Sequence, residues 1–359
     1  MIKAALAGLL LVIGIGPVGA RPAPSPEPTV TVTVTPSPAQ GGGSASGWPL
    51  WILSGVAGAG AVLLGRFVLA RRNRTAATDG RTPLGPPPQP LPVLLAGGAD
   101  SRAPGVALDG GMLAQTTIRA VSIRGRRHRY RGEPLQDAYA VRLSADGRWV
   151  IAAVADGLGS TLHAEHAAAV AVRAATSLSL TPDLGWHAAF ATIAGEVMRA
   201  TARFAGQPAG QPVSRASDPP ATTLTIAVVP ADGGRGVAAC AAIGDSPALW
   251  LHDGTWTELF PPDGQRPANV TSALPDDLGE LRERQIDWQP GDVLVLCSDG
   301  FGTAMGGGGS VLAQQLVTSW SSPPALRSFF RDVGFHLSTY DDDRTVLALW
   351  AGRHDTAVL

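Results

Sequence analysis

From residue 117 onward, hydrophobic and polar positions follow the short patterns of a mixed α and β protein. Eight short apolar runs bounded by turn-forming residues predict strands. Four further segments repeat their apolar positions at helical spacing. The strands come in groups with turns between them, which favours antiparallel sheets covered by helices over repeating βαβ units. The predicted strands are 117–123, 138–143, 149–154, 222–229, 237–243, 248–252, 293–297 and 345–350, and the predicted helices are 163–178, 186–204, 310–320 and 324–333.

The N-terminal part of the chain has a different pattern, in which apolar segments alternate with stretches rich in proline, glycine and threonine. Residues 1–20 are typical of either a secretory signal peptide or a first membrane helix. Residues 21–47 cannot bury a core and predict an extended extracytoplasmic stalk. Residues 48–70 are long and apolar enough to form a transmembrane helix, and the arginines after them predict a cytoplasmic C-terminal part. Residues 71–114 predict a Pro/Gly-rich linker.

Residues 115–352 have globular composition and predict one catalytic domain with a substantial core, followed by a tail over 353–359. The formal net charge of −1 gives no reason to expect a nucleic-acid partner. Cys240 and Cys297 lie in apolar runs and predict buried thiols. Lys3 is the only lysine of the chain. Ordinary kinases, P-loop ATPases and pyridoxal enzymes are therefore excluded, because each needs a lysine inside the folded domain.

Four aspartates stand in short motifs at the edges of apolar runs, at Asp137, Asp156, Asp299 and Asp342. A carboxylate at a strand end is held rigidly and points beyond the edge of the sheet. Several carboxylates that converge in this way repel one another unless a cation lies between them. Oxygen-only ligands suit Mg2+ or Mn2+. The pattern therefore predicts a metal-dependent hydrolytic centre.

Six short motifs follow one another along the domain at suitable gaps: Gly132–Ala138, Ala155–Ser160, Ala221–Leu224, Ile243–Ser246, Cys297–Gly300 and Asp342–Thr345. Together they resemble the metal-dependent Ser/Thr protein phosphatase family, type 2C, in a bacterial branch. The resemblance implies an α+β fold, an αββα sandwich of two antiparallel sheets flanked by helices, here preceded by the transmembrane helix. It also implies two Mn2+ or Mg2+ ions at the sheet edge.

The resemblance further implies roles for single residues. Asp156 would bridge the two ions, the carbonyl of Gly157 would bind one of them, and Asp299 and Asp342 would bind the other. Asp137 would hold metal-bound water. A metal-bridging hydroxide would attack phosphorus in line, so no protein nucleophile is required. Asp341 and Asp343 flank Asp342 and are expected to solvate the loop, with Asp343 as the alternative ligand to Asp342.

An arginine-rich segment, Arg124–Arg131, precedes Asp137 in the sequence. Such a run is either a solvated face or a source of a guanidinium group for the substrate phosphate, because the planar guanidinium suits bidentate recognition. We expect Arg131 or Arg127 in that role. We expect His128 to contact the phosphate or a water molecule.

Three positions depart from the family pattern. Gln136 stands where many members have a glutamate, and an amide can only hold water, which predicts looser binding of the second ion. Leu158 stands where some members have a histidine, so the acid for the leaving group must come from elsewhere, such as His128 or water. Thr303 stands where some members offer another acidic group, which argues against a third metal ion.

The function that follows is a membrane-anchored phosphatase that hydrolyses phosphoserine and phosphothreonine in cytoplasmic proteins, with an opposing Ser/Thr kinase implied by the resemblance. The alternative is a catalytically weak pseudophosphatase that serves as a membrane-tethered binding module. Gln136 favours the alternative, and the four retained aspartates oppose it because clustered carboxylates are costly without a cation. A third interpretation takes Gly244–Ser246 as a lipase nucleophile turn, but the required Asp-x-x-His partner is missing.

Overall fold

The computed structural model describes residues 104–161, 163–202, 219–262, 271–336 and 339–352. The predicted signal or first membrane helix, stalk, transmembrane helix and C-terminal tail lie outside these residues, as does most of the predicted linker. Within the described ranges, no helix has the length and apolar character needed to cross a membrane.

The described residues form eleven strands and six α-helices. The strands are β1 (Val106–Leu113), β2 (Thr116–Ile123), β3 (Asp137–Leu143), β4 (Trp149–Asp156), β5 (Leu224–Pro230), β6 (Gly236–Ile243), β7 (Ala248–His252), β8 (Thr255–Glu258), β9 (Arg282–Trp288), β10 (Val293–Cys297) and β11 (Arg344–Trp350). The helices are α1 (Arg126–Arg131), α2 (Ala164–Ser177), α3 (Trp186–Thr201), α4 (Asp299–Met305), α5 (Val311–Ser319) and α6 (Leu326–Val333).

The strands build two antiparallel sheets. One has six strands in the order β1-β2-β11-β10-β7-β8, and the other has five in the order β3-β4-β5-β6-β9. Strand β4 shows why its sequence is a continuous apolar run: Ile151 and Ala153 pack towards helices, whereas Val150 and Val154 pack between the sheets. Both faces are buried, so the polar positions of a half-exposed strand are absent. Burying one such side chain contributes about 1.5–3 kcal/mol.

Helices cover the outer face of each sheet. On the five-stranded sheet, α2 presents the small residues Ala167, Ala171 and Ala175, and α3 adds larger apolar groups such as Phe190. The apolar residues of α4, α5 and α6 pack on the six-stranded sheet in a separate cluster. The order of layers is therefore helices, sheet, sheet, helices, which confirms the predicted sandwich.

An aromatic cluster fixes the helices on the six-stranded sheet. The Trp320 ring lies 6.1 Å from Phe301 of α4 and 5.0 Å from Phe329 of α6, measured between ring centroids. Its indole nitrogen donates to Asp332 Oδ2 at 2.9 Å, and Trp350 Nε1 donates to the Trp320 carbonyl at 2.8 Å. Because α4 begins with Asp299, this packing also holds a carboxylate that the sequence analysis singled out.

The prediction of a linker through residue 114 is wrong for Val106–Leu113, which form β1. Every residue of β1 pairs with β2, so backbone hydrogen bonding to an existing strand compensates for the interruption of its apolar pattern by Asp109-Gly110-Gly111. Four other elements were not predicted: α1, β8, β9 and α4. The eight predicted strands and four predicted helices are present, with ends shifted by a few residues.

Candidate metal centre in the active-site cleft

The first pair of carboxylates is placed by two neighbouring strands. Asp137 begins β3 and Asp156 ends β4, and the antiparallel register sets them directly opposite each other. Two threonines fix the end of β4. The Asp156 amide donates to Thr223 Oγ1 at 3.0 Å, and Thr222 Oγ1 donates to the Asp156 carbonyl at 2.9 Å. The motif Ala221–Leu224 therefore fixes the backbone of Asp156 through its two threonines.

The second pair of carboxylates is placed by the junction of β10 and β11. Asp299 follows the end of β10, and Asp342 precedes β11. Ser298 joins the two strands: its amide donates to the Thr345 carbonyl at 3.0 Å, and its hydroxyl oxygen accepts from the Thr345 amide at 2.9 Å. Gly300 is required beside this junction, because a Cβ atom there would lie 2.0 Å from the Asp343 carbonyl oxygen.

The two pairs meet at one cleft at the sheet edge. Three of the four predicted aspartates line it, and Asp137 lies buried beside it as the strand partner of Asp156. Among the described residues, the cleft is lined by Arg127, Gln136, Asp156, Gly157, Leu158, Gly159, Thr223, Asp245, Thr271, Asp299 and Asp342.

The carboxylates share a strongly unfavourable electrostatic environment. Burial, followed by repulsion from Asp137, Asp299 and Asp342, raises the pKa of Asp156 well above its ordinary value. Burial and then repulsion from Asp245 raise the pKa of Asp299 to about 6, although a hydrogen bond with Asp156 partly opposes this. Crowded carboxylates of this kind become stable in their charged form when a cation lies among them.

The oxygen donors fit a divalent cation. Among the described residues, Gln136 Oε1 is buried and has no hydrogen-bond partner. Neither carboxylate oxygen of Asp137 makes a hydrogen bond of good geometry. Burial raises the pKa of Asp137 well above its ordinary value, and the nearby hydroxyls of Ser298 and Thr345 only partly oppose this. Carboxylate, amide and carbonyl oxygens without nitrogen or sulfur donors are the ligands that Mg2+ and Mn2+ prefer.

Asp343 differs from the expectation that it solvates its loop. It is only 3% exposed. Its Oδ1 accepts from the Gly125 amide at 2.6 Å, its Oδ2 accepts from the Gln136 amide at 2.7 Å, and His128 Nδ1 lies 2.8 Å from Oδ1. Asp343 therefore ties α1 and the segment before β3 to the loop that carries Asp342.

His128 is 3% exposed and is not among the residues that line the cleft. Its Nε2 lies 3.8 Å from Asp342 Oδ1 and 3.7 Å from Glu133 Oε2. The interaction with Asp343 raises the pKa of His128, although burial opposes this as the largest single effect. The imidazole therefore contacts Asp343 and lies close to Asp342, and its contact with a phosphate or a water molecule stays a prediction.

The two candidate arginines lie in different places. Arg127 lines the cleft and forms an ion pair with Asp342. Arg131 does not line the cleft, and its guanidinium lies 3.9 Å from Glu133 Oε2. Arg127 is therefore the arginine that the fold places beside the carboxylates. A phosphate contact by either arginine stays a prediction.

Sequence reasoning missed one polar residue of the cleft, Thr271. Thr271 Oγ1 donates to Asp245 Oδ2 at 2.8 Å, and both residues line the cleft. Asp245 was visible in the Gly-Asp-Ser motif, whereas no sequence signal marks Thr271. The neighbouring Ser246 is 1% exposed and its hydroxyl hydrogen-bonds the Thr223 hydroxyl at 2.7 Å. This buried serine is not available as a lipase nucleophile.

Two antiparallel sheets with a carboxylate cleft at their edge define a fold and site of the metal-dependent phosphatase type. The sequence model of the family described as protein phosphatase 2C matches residues 124–350, which is more than half of the chain. The chain therefore belongs to the protein phosphatase 2C family. The predicted enzyme class, a Ser/Thr protein phosphatase that uses Mn2+ or Mg2+, is confirmed.

Several solved structures are similar to this chain at low sequence identity. PppA, described as a key regulatory component of the T6SS in Pseudomonas aeruginosa, is 20% identical with a TM-score of 0.47, over 66% of this chain and 97% of that one. The catalytic domain of the phosphatase PstP in complex with two manganese ions is 22% identical with a TM-score of 0.45, over 66% and 97%. A bacterial serine phosphatase is 15% identical with a TM-score of 0.48, over 67% and 99%. No curated protein sequence matches the chain significantly.

Proposed function

We propose that this chain is a membrane-anchored phosphatase that releases phosphate from phosphoserine and phosphothreonine in cytoplasmic proteins, with two Mn2+ or Mg2+ ions held in the cleft. One observation carries the proposal. Carboxylates from three distant parts of the chain, Asp156, Asp299 and Asp342, line the same cleft. Family membership supports the reaction type, and the mutual repulsion of these groups supports a resident pair of cations.

The residues that would hold the ions follow from their positions. Asp156, which interacts with Asp299 and Asp342 in the same cleft, would hold the ions together with those two carboxylates and the Gly157 carbonyl. Asp137 and the amide of Gln136 would hold water. Bound there, the ions would supply positive charge for the phosphoryl oxygens and lower the pKa of a bound water towards about 7.

The protein's own groups would bind and orient the phosphate. Arg127 lies beside Asp342 at the cleft, and its planar guanidinium suits two oxygens of a phosphate group. Leu158 lines the cleft where some members of the family have a histidine, and the described residues that line the cleft include no histidine. We infer that the leaving alkoxide takes its proton from water.

Membrane anchoring rests on the sequence of residues 48–70 and on the arginines that follow them. We expect the full chain to sediment with membranes, to resist extraction by high salt and to dissolve in detergent. Deletion of residues 48–70, with the rest of the chain kept, should remove the membrane attachment that this segment provides, so less of the protein should sediment with membranes. A full chain that stays in the supernatant would contradict this part of the proposal.

The reaction is tested with the full chain in detergent and a phosphothreonine peptide, with phosphate release measured across a Mn2+ titration. We expect release that rises with Mn2+ and is lost in Asp156→Ala. The matched control is Asp287→Ala, which removes an exposed carboxylate from β9 outside the cleft. No release at any Mn2+ concentration would contradict the proposed reaction.

A second function is favoured only by Gln136, which puts an amide in the cleft where a carboxylate would bind a cation better. In that case the chain would bind a phosphoprotein at the membrane and turn it over poorly. Peptide binding without measurable phosphate release would support this binding module, and a glutamate at position 136 should then increase turnover.

A further inference from the structure

Helix α1 is the most strongly charged element among the described residues, and nothing in the proposed reaction uses all of it. Its six residues include four arginines and no acid. The helix is fixed in place by its buried His128 and by the Arg127 amide, which donates to the Asp341 carbonyl at 2.9 Å. A rigid basic element therefore stands directly at the rim of the cleft.

One face of α1 is both exposed and continuous with the cleft. Arg127 lines the cleft, and residues three and four positions later on a helix lie on the same side. These residues are Tyr130, which is 50% exposed, and Arg131, whose side chain is 43% exposed. By contrast, Arg129 donates to the carbonyls of Arg124 and Gly105 and is engaged in holding the fold.

The surrounding charges leave this side of the domain positive. The nearest acid to Arg131 is Glu133, at 3.9 Å, but the same carboxylate oxygen also lies 3.7 Å from His128 Nε2. Asp342, the partner of Arg127, is one of the groups that a bound cation would neutralise.

We propose that the face of α1 formed by Arg127, Tyr130 and Arg131 binds the substrate protein next to its phosphorylated residue, and that it selects segments carrying a carboxylate or a second phosphate there. The inference rests on the proposed function and names its substrate class. Arg127 holds the phosphate that is removed, Arg131 pairs with the flanking anion, and the Tyr130 ring packs on the peptide between them.

The spacing defines where the flanking anion lies. Arg127 and Arg131 are one helical turn apart, about 5.4 Å along the axis. An extended peptide covers this distance in about two residues, at roughly 3.3 Å per residue. Because the arginine side chains are long and flexible, the distance between the two anions along the peptide can be one or two residues greater. The preferred anion therefore lies two to four residues from the phosphorylated residue.

The test measures kcat/KM of the full chain, saturated with Mn2+, on a set of phosphothreonine peptides. The set contains a neutral peptide, peptides with aspartate two to four residues before or after the phosphothreonine, doubly phosphorylated peptides and lysine-substituted counterparts. We expect the acidic or doubly phosphorylated peptides to exceed the neutral one by about two- to fivefold per charge, mainly through KM. The preference should weaken as added salt screens exposed charges.

For each variant we compare kcat/KM on the acidic peptide with kcat/KM on its lysine-substituted counterpart. This ratio isolates the role of the α1 face, because a loss of folded enzyme lowers both values equally. Arg131→Glu should reverse the ratio, Arg131→Lys should keep most of it, and Tyr130→Ala should raise KM for the peptides. The control Arg199→Glu changes an exposed arginine on α3 and should leave the ratio unchanged. A ratio of one in the wild type, or one unaffected by Arg131→Glu, would overturn the inference. Failure to hydrolyse even the neutral peptide would instead contradict the proposed function.

Discussion

Asp342 and Asp343 are adjacent in the sequence and lie in opposite surroundings. The Asp342 side chain is 34% exposed, lines the cleft and pairs with Arg127. Asp343 is buried and accepts hydrogen bonds from two backbone amides of other segments. The Asp342 carboxylate is available to a ligand, whereas the Asp343 carboxylate is occupied by hydrogen bonds that hold the fold together.

The two positions should therefore respond differently to removal of the carboxylate. Asp343→Ala leaves the Gly125 and Gln136 amides without an acceptor and should lower the free energy of unfolding by about 2–4 kcal/mol. Asp342→Ala relieves repulsion in the metal-free protein and should keep or raise its stability, while phosphate release falls by roughly 100-fold or more. Denaturant unfolding in chelator and a phosphatase assay measure the two effects. The opposite pattern would assign the ligand to Asp343.

A surface histidine predicts a pH dependence of stability that is independent of the cleft. A hydrogen bond between His252 Nδ1 and Asp292, at 2.8 Å, raises the pKa of His252 in the folded state. Its contribution is complete below the unfolded pKa, about 6.5, and is lost as the pH rises through the folded pKa. Wild type should therefore be more stable than His252→Gln at acidic pH, and the difference should disappear at pH 9. The His252 ring also stacks on Trp250, with the ring centroids 4.7 Å apart. Equal differences at both pH values would show that this stacking, and not the charge of His252, stabilises the fold.

At the residue scale, the sequence was sufficient where a motif ends an apolar run. Asp156 and Asp299 follow runs that are buried strands, so their positions at the sheet edge could be predicted. The surroundings of Asp343 and His128 could not, because three consecutive aspartates look alike until tertiary pairing supplies the amides that bury one of them. The same limit applies to Arg127 and Arg131. Only the position of α1 in the fold shows that Arg127 lines the cleft and that Arg131 does not.

At the element scale, the close approach of backbones around Gly157 controls the end of β4. A Cβ atom on Gly157 would lie 2.7 Å from the Ala164 carbonyl oxygen and 2.8 Å from that of Gln136. Both neighbours are backbone atoms and cannot rotate away. Glycine at this position therefore lets α2 and the segment before β3 approach the cleft.

Gly157→Ala should displace these segments, lower stability by about 1–3 kcal/mol and reduce Mn2+-dependent activity. The control is Gly111→Ala in β1, where an added Cβ atom meets nothing within 4 Å. Thermal unfolding and the Mn2+ concentration for half-maximal activity measure both effects. Similar behaviour of the two variants would show that the space around Gly157 is not restrictive.

The elements that sequence patterns missed share a physical cause. Strand β1 is interrupted by Asp109-Gly110-Gly111, and β9 has charged or polar residues at five of its seven positions, so neither shows the apolar pattern of a typical strand. Each lies at a sheet edge and is held by pairing with a neighbour. Helix α4 begins at Asp299-Gly300, a pair that is typical of turns, and only packing of Phe301 in the aromatic cluster makes it a helix.

At the scale of the whole molecule, the boundary of the catalytic domain lies earlier than the sequence predicted. Strand β1 pairs with β2 over eight residues. A fragment that begins at residue 115 would remove this strand and expose the backbone of β2 as a new sheet edge. The sandwich itself could be predicted from grouped strands and motif order, whereas this edge strand could not.

A fragment of residues 104–352 should accordingly unfold at a higher temperature than one of residues 115–352, and it should stay in solution at concentrations where the shorter fragment aggregates. Thermal unfolding and light scattering of the two fragments provide the comparison. Equal stability would show that β1 contributes little to the domain.

The most direct test of the central claim is the stoichiometry of Mn2+ binding, measured by titration calorimetry on the full chain in detergent. We predict two ions per chain, the second of which binds more weakly because Gln136 offers an amide and not a carboxylate. We also predict that Asp156→Ala, which removes a carboxylate that would hold the ions, abolishes binding or leaves a single weak site. Absence of Mn2+ binding to the wild type, or unchanged binding to Asp156→Ala, would contradict the central claim.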